Sequence, residues 1–152
     1  MPSHDPADFV MSFVKTFKAL QETLTRELAR YGVHPGQNLM LSALAGEDGQ
    51  TPGELSGRLG ITGPTVVKAA QRMEAAGLVA RRRDDKDGRL VRIYLTERGR
   101  SVVQPIEDDI RAIGERAIAA LTPEQRGTLL AALATIFEAL QTEPRRDREP
   151  RG

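Results

Sequence analysis

Hydrogen-bonding and cationic side chains cluster between residues 62 and 89 of the sequence. One group recurs at helical spacing and comprises Thr62, Thr65, Lys68, Gln71 and Arg72. A second group surrounds a charged loop and comprises Arg83, Lys86 and Arg89. Side chains of these types hydrogen-bond to base edges and neutralise phosphates. Their spacing therefore favours an interface with a nucleic acid duplex.

Positive charge is concentrated in the same part of the chain. Residues 58–100 contain eleven Lys and Arg but five Asp and Glu, a net charge of +6, whereas the rest of the 152-residue chain carries −5. A local excess of this kind is the electrostatic signature of a phosphate-binding surface. We therefore expect double-stranded DNA to be the partner of this segment.

The composition excludes several other classes of site and of protein. The sequence contains no Cys, and its two His, His4 and His34, lie far apart. It has no Gly-rich phosphate loop and no paired carboxylates in an apolar setting, so we expect no enzymatic activity, no metal and no cofactor. No apolar run approaches the roughly 18 residues of a membrane span, and the first residues lack the features of a signal peptide. We therefore expect a cytoplasmic protein with no membrane partner.

A helix, a tight turn and a second helix are predicted to position the first group of side chains. The helix over residues 52–59 ends at Gly60, because Gly tolerates the left-handed conformation that closes a helix. Thr62 is a good N-cap and Pro64 suits a first turn, so a second helix is predicted over residues 63–76. Its apolar side chains should face the core, and they are Val66, Ala69, Ala70 and Met73.

A hairpin is predicted directly after this second helix. Residues 90–95 alternate between apolar and polar side chains with the period of a strand, and residues 78–83 precede them. Asp87-Gly88 predicts the turn between the two strands. Arg89 follows near the tip, where an Arg beside a major-groove helix can enter the minor groove. Residues 50 and 51 are predicted to form a very short strand that pairs with the hairpin.

The charges of the hairpin have two interpretations each. Asp84 and Asp87 are the wrong sign for DNA, and we interpret them as intraprotein partners that orient Arg83 and Arg89, with plain solvation as the alternative. We interpret the run Arg81–Arg83 as facing DNA, with a solvated strand end as the alternative.

Amphipathic helices are predicted on both sides of this segment. One spans residues 8–30, another starts at Pro35, and two follow the hairpin over residues 97–121 and 123–141. The outer helices carry more apolar surface than a small winged helix needs, and pairing with a twofold mate would bury it. The same twofold would present two recognition helices to successive major grooves.

We therefore predict a mainly α (α+β) fold, a winged helix-turn-helix with a small β-hairpin wing and with N- and C-terminal dimerisation helices. The expected domains are an N-terminal dimerisation helix over residues 1–34 and a DNA-binding domain over 35–98. C-terminal dimerisation helices over 99–141 and a disordered tail over 142–152 complete the chain.

From about Pro35 to Leu140 the chain resembles the MarR family of bacterial transcription regulators. The residues that carry the resemblance are Leu55, Leu59-Gly60-Ile61, Thr65-Val66, Met73-Glu74, Gly77-Leu78-Val79, Arg82, Asp84, Asp87-Gly88-Arg89 and Leu95-Thr96-Glu97-Arg98-Gly99. The resemblance implies an obligate homodimer on a palindromic operator, with a recognition helix over residues 62–75 and a wing over 84–89. By position, Asp87 matches the acid that braces the wing, and Arg89 matches the Arg that enters the minor groove.

The start of the recognition helix departs from the family pattern. Gly63 and Pro64 stand where relatives commonly carry larger polar residues, so direct readout falls on neighbouring side chains. Gly88 likewise replaces a common wing Arg. The full set of candidate DNA contacts is Thr62, Gly63, Pro64, Thr65, Lys68, Gln71, Arg72, Arg83, Lys86 and Arg89.

The resemblance also implies a small-molecule pocket in many members, between the dimerisation helices and the DNA-binding domain. The candidate residues for an effector pocket in this chain are Phe13, Phe17, Tyr31 and His34. A structural role for His34 and a dimer-core role for the two Phe are the alternatives.

Together these features predict a sequence-specific, double-stranded-DNA-binding transcriptional repressor, a homodimer at the bacterial nucleoid that a small-molecule effector releases. A winged-helix module for protein–protein contact is an alternative, against which the net charge of residues 58–100, +6, argues. A non-specific DNA-binding protein is a further alternative.

Overall fold

The computed structural model describes residues 5–142, and in that range the chain forms six helices and one two-stranded sheet. The helices before the sheet are α1 (Pro6–Ala29), α2 (Gln37–Gly46), α3 (Pro52–Leu59) and α4 (Gly63–Ala75). The antiparallel strands are β1 (Val79–Arg83) and β2 (Val91–Leu95), and the helices after them are α5 (Glu97–Ala117) and α6 (Pro123–Thr142). The predicted mainly α fold with a small β-hairpin is confirmed.

Most of the predicted elements are present, with shifted ends. The helix predicted from Pro35 begins at Gln37, because Gly36 adopts a φ of 95°, outside the helical region. The helix predicted to reach residue 121 ends at Ala117. Thr142, placed in the predicted tail, is the last residue of α6, and residues 143–152 of that tail lie outside the described residues. No helix within residues 5–142 is long and apolar enough to cross a membrane.

The described chain divides after Ile113 into two compact units. The first unit holds a core to which α1 through the first half of α5 contribute, and its buried members are Leu28, Val33, Met40, Leu41, Leu44, Leu55, Val66, Ala70, Met73, Leu78, Val79, Ile93, Leu95 and Ile106. Three of the four residues predicted to face the core from α4 are fully buried, and the fourth, Ala69, packs against them. In the second unit, α6 has no buried residue among those described.

The helix-turn-helix is shaped by local capping. The Thr51 hydroxyl accepts a hydrogen bond from the Glu54 N–H at 3.2 Å, and the Glu54 carboxylate accepts one from the Thr51 N–H at 2.7 Å, a reciprocal capping box. Gly60 closes α3 with a φ of 66°, as predicted. Thr62 then caps α4, whose first turn contains Pro64. These end signals determine where α3 starts and stops and where α4 starts.

The hairpin is anchored to the rest of the core by Gln50. The Ile93 N–H donates to the Gln50 carbonyl at 2.9 Å, which confirms the predicted short strand as a single antiparallel bridge. The buried Gln50 amide donates in turn to the carbonyls of Ala43, at 3.0 Å, and Glu47, at 2.6 Å. The strand β2 is thereby tied to the end of α2.

The start of α5 passes so close to the chain before β1 that only glycine fits. A Cβ at position 99 would lie 1.9 Å from the carbonyl oxygen of Leu78, a separation that no side chain tolerates. The approach is held by Thr96, whose hydroxyl donates to the Gly77 carbonyl at 2.6 Å and accepts from the Gly99 N–H at 3.0 Å.

Replacing Gly99 by Ala should therefore destabilise the protein, because either α5 or the backbone at Leu78 must move. We expect the melting temperature to fall by about 10 °C. Gly114→Ala is the matched control in the same helix, because a Cβ there meets no atom within 4 Å. The control should be neutral or slightly stabilising. Equal melting temperatures for the two variants in a thermal denaturation scan would show that the close approach is absent.

Candidate nucleic-acid interface

One face of α4 carries the first predicted group of polar side chains. The side chains of Thr62, Pro64, Thr65, Lys68, Gln71 and Arg72 are all exposed, and Gly63 is half-buried. The opposite face is buried against the core through Val66, Ala70 and Met73. The helix therefore presents a polar and basic surface while its apolar stripe fixes its orientation.

The two threonines at the start of α4 bond to each other. The hydroxyls of Thr62 and Thr65 are 2.8 Å apart, and the Thr62 hydroxyl also accepts from the Thr65 N–H at 3.4 Å. Their hydrogen-bonding capacity is thus partly used inside the helix. The exposed side chains of Lys68, Gln71 and Arg72 make no hydrogen bond within the described residues, so theirs is available to an outside partner.

The basic side chains of residues 58–100 separate into two sets. In the first set, ion pairs join Arg58 to Glu47 (2.5 Å), Arg81 to Glu74 (2.8 Å), Arg100 to Asp48 (2.9 Å) and Arg92 to Asp84. The other seven make no ion pair within residues 5–142, and three of them, Arg82, Arg83 and Arg98, contact an aromatic ring or a backbone carbonyl instead. The remaining four, Lys68, Arg72, Lys86 and Arg89, are exposed and offer uncompensated positive charge to a partner.

Glu74 fastens the end of the recognition helix to the hairpin. Its carboxylate accepts from the Arg81 backbone N–H at 3.0 Å and from the Arg81 guanidinium at 2.8 Å and 3.1 Å. The hydrogen bonds from the Arg81 side chain and backbone lower the pKa of Glu74. The Arg81 guanidinium is therefore paired within the protein, and the interpretation of Arg81 as facing DNA stays a prediction.

The other two arginines of this run are held more loosely. The Arg82 guanidinium lies over the Tyr94 ring, 5.4 Å from its centroid. The Arg83 guanidinium donates to the Gly88 carbonyl at 3.4 Å, a long contact across the hairpin loop. Arg83 therefore lies close to the wing tip, and its contact with DNA stays a prediction.

Asp84 organises the wing from inside. Its carboxylate accepts from the backbone N–H groups of Lys86 and Asp87, both at 2.8 Å, and pairs with the Arg92 guanidinium. Its side chain is 12% exposed, and the hydrogen bond from Arg92 with those from the two amides lowers its pKa to about 2. Arg92 also donates to the Gly49 carbonyl at 2.8 Å, so the wing is attached to the loop before α3.

Asp87 contributes a smaller brace. Its carboxylate accepts from the Arg89 backbone N–H at 3.0 Å and shapes the turn that carries Arg89. Within the described residues, neither Asp84 nor Asp87 pairs with the guanidinium of Arg83 or Arg89. The Asp84–Arg92 pair was not predicted from the sequence, where the basic residue among the apolar and aromatic residues of β2 was the available signal.

A cleft separates the recognition helix from the wing. It has a volume of about 390 Å³, and its lining includes Val67 of α4 and Arg89 of the wing. Val67 was not among the predicted site residues, yet 38% of its surface is exposed. The helix and the wing therefore face a shared opening with an apolar side and a cationic side.

Of the four residues proposed for an effector pocket, Phe13 and Phe17 lie on α1, and Tyr31 and His34 lie between α1 and α2. The Tyr31 hydroxyl donates to the Asp109 carboxylate at 2.5 Å, and this bond, together with burial, raises the pKa of Tyr31. Phe13 and Phe17 are 40% and 54% exposed on α1. His34 lines a cavity of about 300 Å³ with Lys68 and Arg72, and that lining includes none of the other three. Within residues 5–142 no cluster of His, Asp and Glu could hold a metal ion.

Because the pKa of Asp84 is lowered in the folded protein, the free energy of unfolding should depend on pH. A carboxyl with a pKa near 2 in the folded protein and about 3.9 in the unfolded chain stabilises the fold when ionised. Asp84→Asn should lower the melting temperature by a constant amount above about pH 4, and the difference should shrink as pH falls towards 2.

Thermal scans of both proteins across this range test the expectation. Carboxyl NMR of the wild type checks the pKa directly. A pKa of Asp84 near that of an unfolded chain would show that Arg92 does not hold it.

The comparisons with known proteins agree with this geometry. A family model described as MarR family matches residues 31–90. HTH-type transcriptional repressor MdtR of Bacillus subtilis is 24% identical, with coverage of 93% of this chain and 91% of MdtR. HTH-type transcriptional repressor Mb2911 of Mycobacterium bovis is 30% identical, with coverage of 70% and 78% respectively.

The fold is also similar to that of a solved structure with DNA. The S. aureus MepR–DNA complex superposes with a TM-score of 0.78 at 22% identity, covering 86% of this chain and 97% of MepR. With a capped helix-turn-helix, a braced hairpin and these relatives, this chain belongs to the MarR family of transcriptional regulators.

Proposed function

We propose that this protein is a sequence-specific transcriptional repressor that binds a palindromic operator in double-stranded DNA as a homodimer. The observation that carries the proposal is the division of the cations. Lys68 and Arg72 on α4, with Lys86 and Arg89 on the wing, stay unpaired within the described chain while neighbouring arginines are neutralised. Two relatives are named as repressors, and the structural relative MepR was solved with DNA.

The two parts of the interface have different roles in this proposal. Lys68 and Gln71 lie one turn apart on the exposed face of α4, where they read base edges in the major groove. Arg89, held by a turn that Asp87 and Asp84 shape, enters the adjacent minor groove. Arg72, Arg83 and Lys86 contact phosphates and set the position of the helix.

Dimerisation is proposed from uncovered apolar faces on two helices. On α1, Phe9, Phe13, Phe17 and Leu20 are each at least 40% exposed, and they recur at helical spacing. On α6, Leu130, Phe137 and Leu140 are more than 60% exposed. Apolar faces of this extent mark a protein interface, and a second copy of the chain supplies the matching surface.

We also propose that the protein acts at the bacterial nucleoid in the cytoplasm and has no catalytic role, since its relatives are transcriptional regulators. Release from the operator by a small-molecule effector stays a prediction. Binding of candidate compounds to the operator-bound protein is the measurement that checks it.

The experiment that tests the function begins with selection of binding sites from a random duplex library. Fluorescence anisotropy then compares the selected duplex with a scrambled one at about 50 and 200 mM salt. Tight, selective and salt-sensitive binding with an inverted repeat in the selected sequence is the expected result. Equal affinity for both duplexes favours a non-specific DNA-binding protein, and no binding at low salt favours a protein–protein module.

Arg89→Ala should weaken operator binding by roughly tenfold or more, because an unpaired guanidinium is lost from the wing. The slope of log affinity against log salt should fall by about one, as one phosphate-region contact disappears. Arg58→Ala is the matched control, since it removes the same charge from a residue that Glu47 already pairs at 2.5 Å. If both variants bind like the wild type, Arg89 lies outside the interface.

Phe17→Glu should convert the dimer to a monomer, because it places a carboxylate in the apolar face of α1. Lys18→Glu introduces the same side chain at the neighbouring position, about 100° around the helix from Phe17, and should leave the dimer intact. Sedimentation velocity reports both masses. A wild type that sediments as a monomer at micromolar concentration would remove the dimer from the proposal.

A further inference from the structure

The geometry points to Val67 as a further specificity-determining residue: we infer that its side chain contacts the C5-methyl group of a thymine in the major groove of the operator. The inference rests on the proposed function, because it names a base feature that the same recognition helix reads. Val67 stands apart from the polar contacts considered above, and its side chain has no hydrogen-bonding group.

Val67 is an apolar residue that the core does not use. The neighbouring apolar positions Val66, Ala70 and Met73 are fully buried, whereas Val67 is 38% exposed. It lies three residues after Pro64 and four before Gln71, the spacing that places side chains on one face of a helix. Its isopropyl group therefore belongs to the outward face of α4, on the side of the wing, where it lines the cleft with Arg89.

The first turns of α4 expose mainly apolar groups, at positions where members of the family commonly carry polar side chains. Gly63 has no side chain and Pro64 offers only its ring. The hydroxyls of Thr62 and Thr65 are 2.8 Å apart and bond to each other. Polar groups able to reach a base without breaking an internal bond therefore start at Lys68. The surface between the N-cap and Lys68 is predominantly apolar.

The major groove offers one apolar group that matches such a surface. Each base pair presents hydrogen-bond donors and acceptors there, and thymine adds its C5-methyl group. Packing this methyl against the Val67 isopropyl group removes both from water. A cytosine at the same place carries only hydrogen at C5, so the Val67 isopropyl group loses this contact. The contact therefore selects thymine by attraction to its methyl group.

The test removes the methyl without changing any hydrogen bond. In the duplex obtained by selection, each thymine of one half-site is replaced in turn by deoxyuridine, and affinity is measured by fluorescence anisotropy. At one thymine, we expect the wild type to lose affinity by about fourfold, the value for one buried methyl group. Thymines in the flanking sequence serve as internal controls and should show no change.

Two variants assign the effect to Val67. Val67→Ala removes both methyl groups from an exposed helical site, so the fold should be retained, and its affinity should no longer depend on that methyl. Lys68→Ala is the matched control at the next position. It should weaken binding to both duplexes by the same factor and keep the fourfold preference for thymine.

The outcomes separate this inference from the proposed function. Loss of methyl dependence in Val67→Ala alone supports the contact. Selective operator binding with no deoxyuridine effect at any half-site thymine, with no thymine in the selected half-site, or with equal methyl dependence in Val67→Ala, overturns the inference and leaves the proposed function standing. Absence of selective binding by the wild type overturns both.

Discussion

The Arg92 guanidinium joins the hairpin to the helix-turn-helix. It pairs with Asp84 at the end of β1, donates to the Gly49 carbonyl at 2.8 Å and lies 3.6 Å from the Glu54 carboxylate at the start of α3. The Asp84 carboxylate in turn accepts hydrogen bonds from two backbone N–H groups of the wing loop. Because these charge-assisted bonds share one guanidinium, the shape of the wing and its attachment to the loop before α3 depend on each other.

Acidic side chains also determine which cations remain available. Glu74 occupies Arg81, Asp84 occupies Arg92, and further carboxylates occupy Arg58 and Arg100. The net charge of residues 58–100 describes the field that attracts DNA from a distance. The contact surface is narrower, since it is formed by the cations left unpaired on α4 and around the wing loop. The ion pairs thus stabilise the structure of the domain, and the unpaired cations are exposed on its surface.

Prediction succeeded where the cause of a feature is local. The ends of α3 and α4 follow from Gly60, Thr62 and Pro64, each of which acts on backbone groups within one turn. The buried face of α4 follows from helical periodicity. The start of α2 was displaced because Gly36 took a positive φ, which a sequence permits without requiring. The side chains predicted for the interface on α4 lie on one exposed face of the helix. The structure adds Val67, which was not predicted, to that face.

The sequence by itself determined the order of the elements, the register of the apolar faces and the position of the turn residues, because these depend on neighbours along the chain. Only the tertiary structure decided the partners of the charged side chains. Asp84 could have met Arg83, Arg89 or Arg92, and in the folded hairpin it pairs with Arg92. The close passage at Gly99 is of the same kind, since Leu78 lies 21 residues away in the chain. Contacts at such separation follow from packing, which propensity and periodicity do not specify.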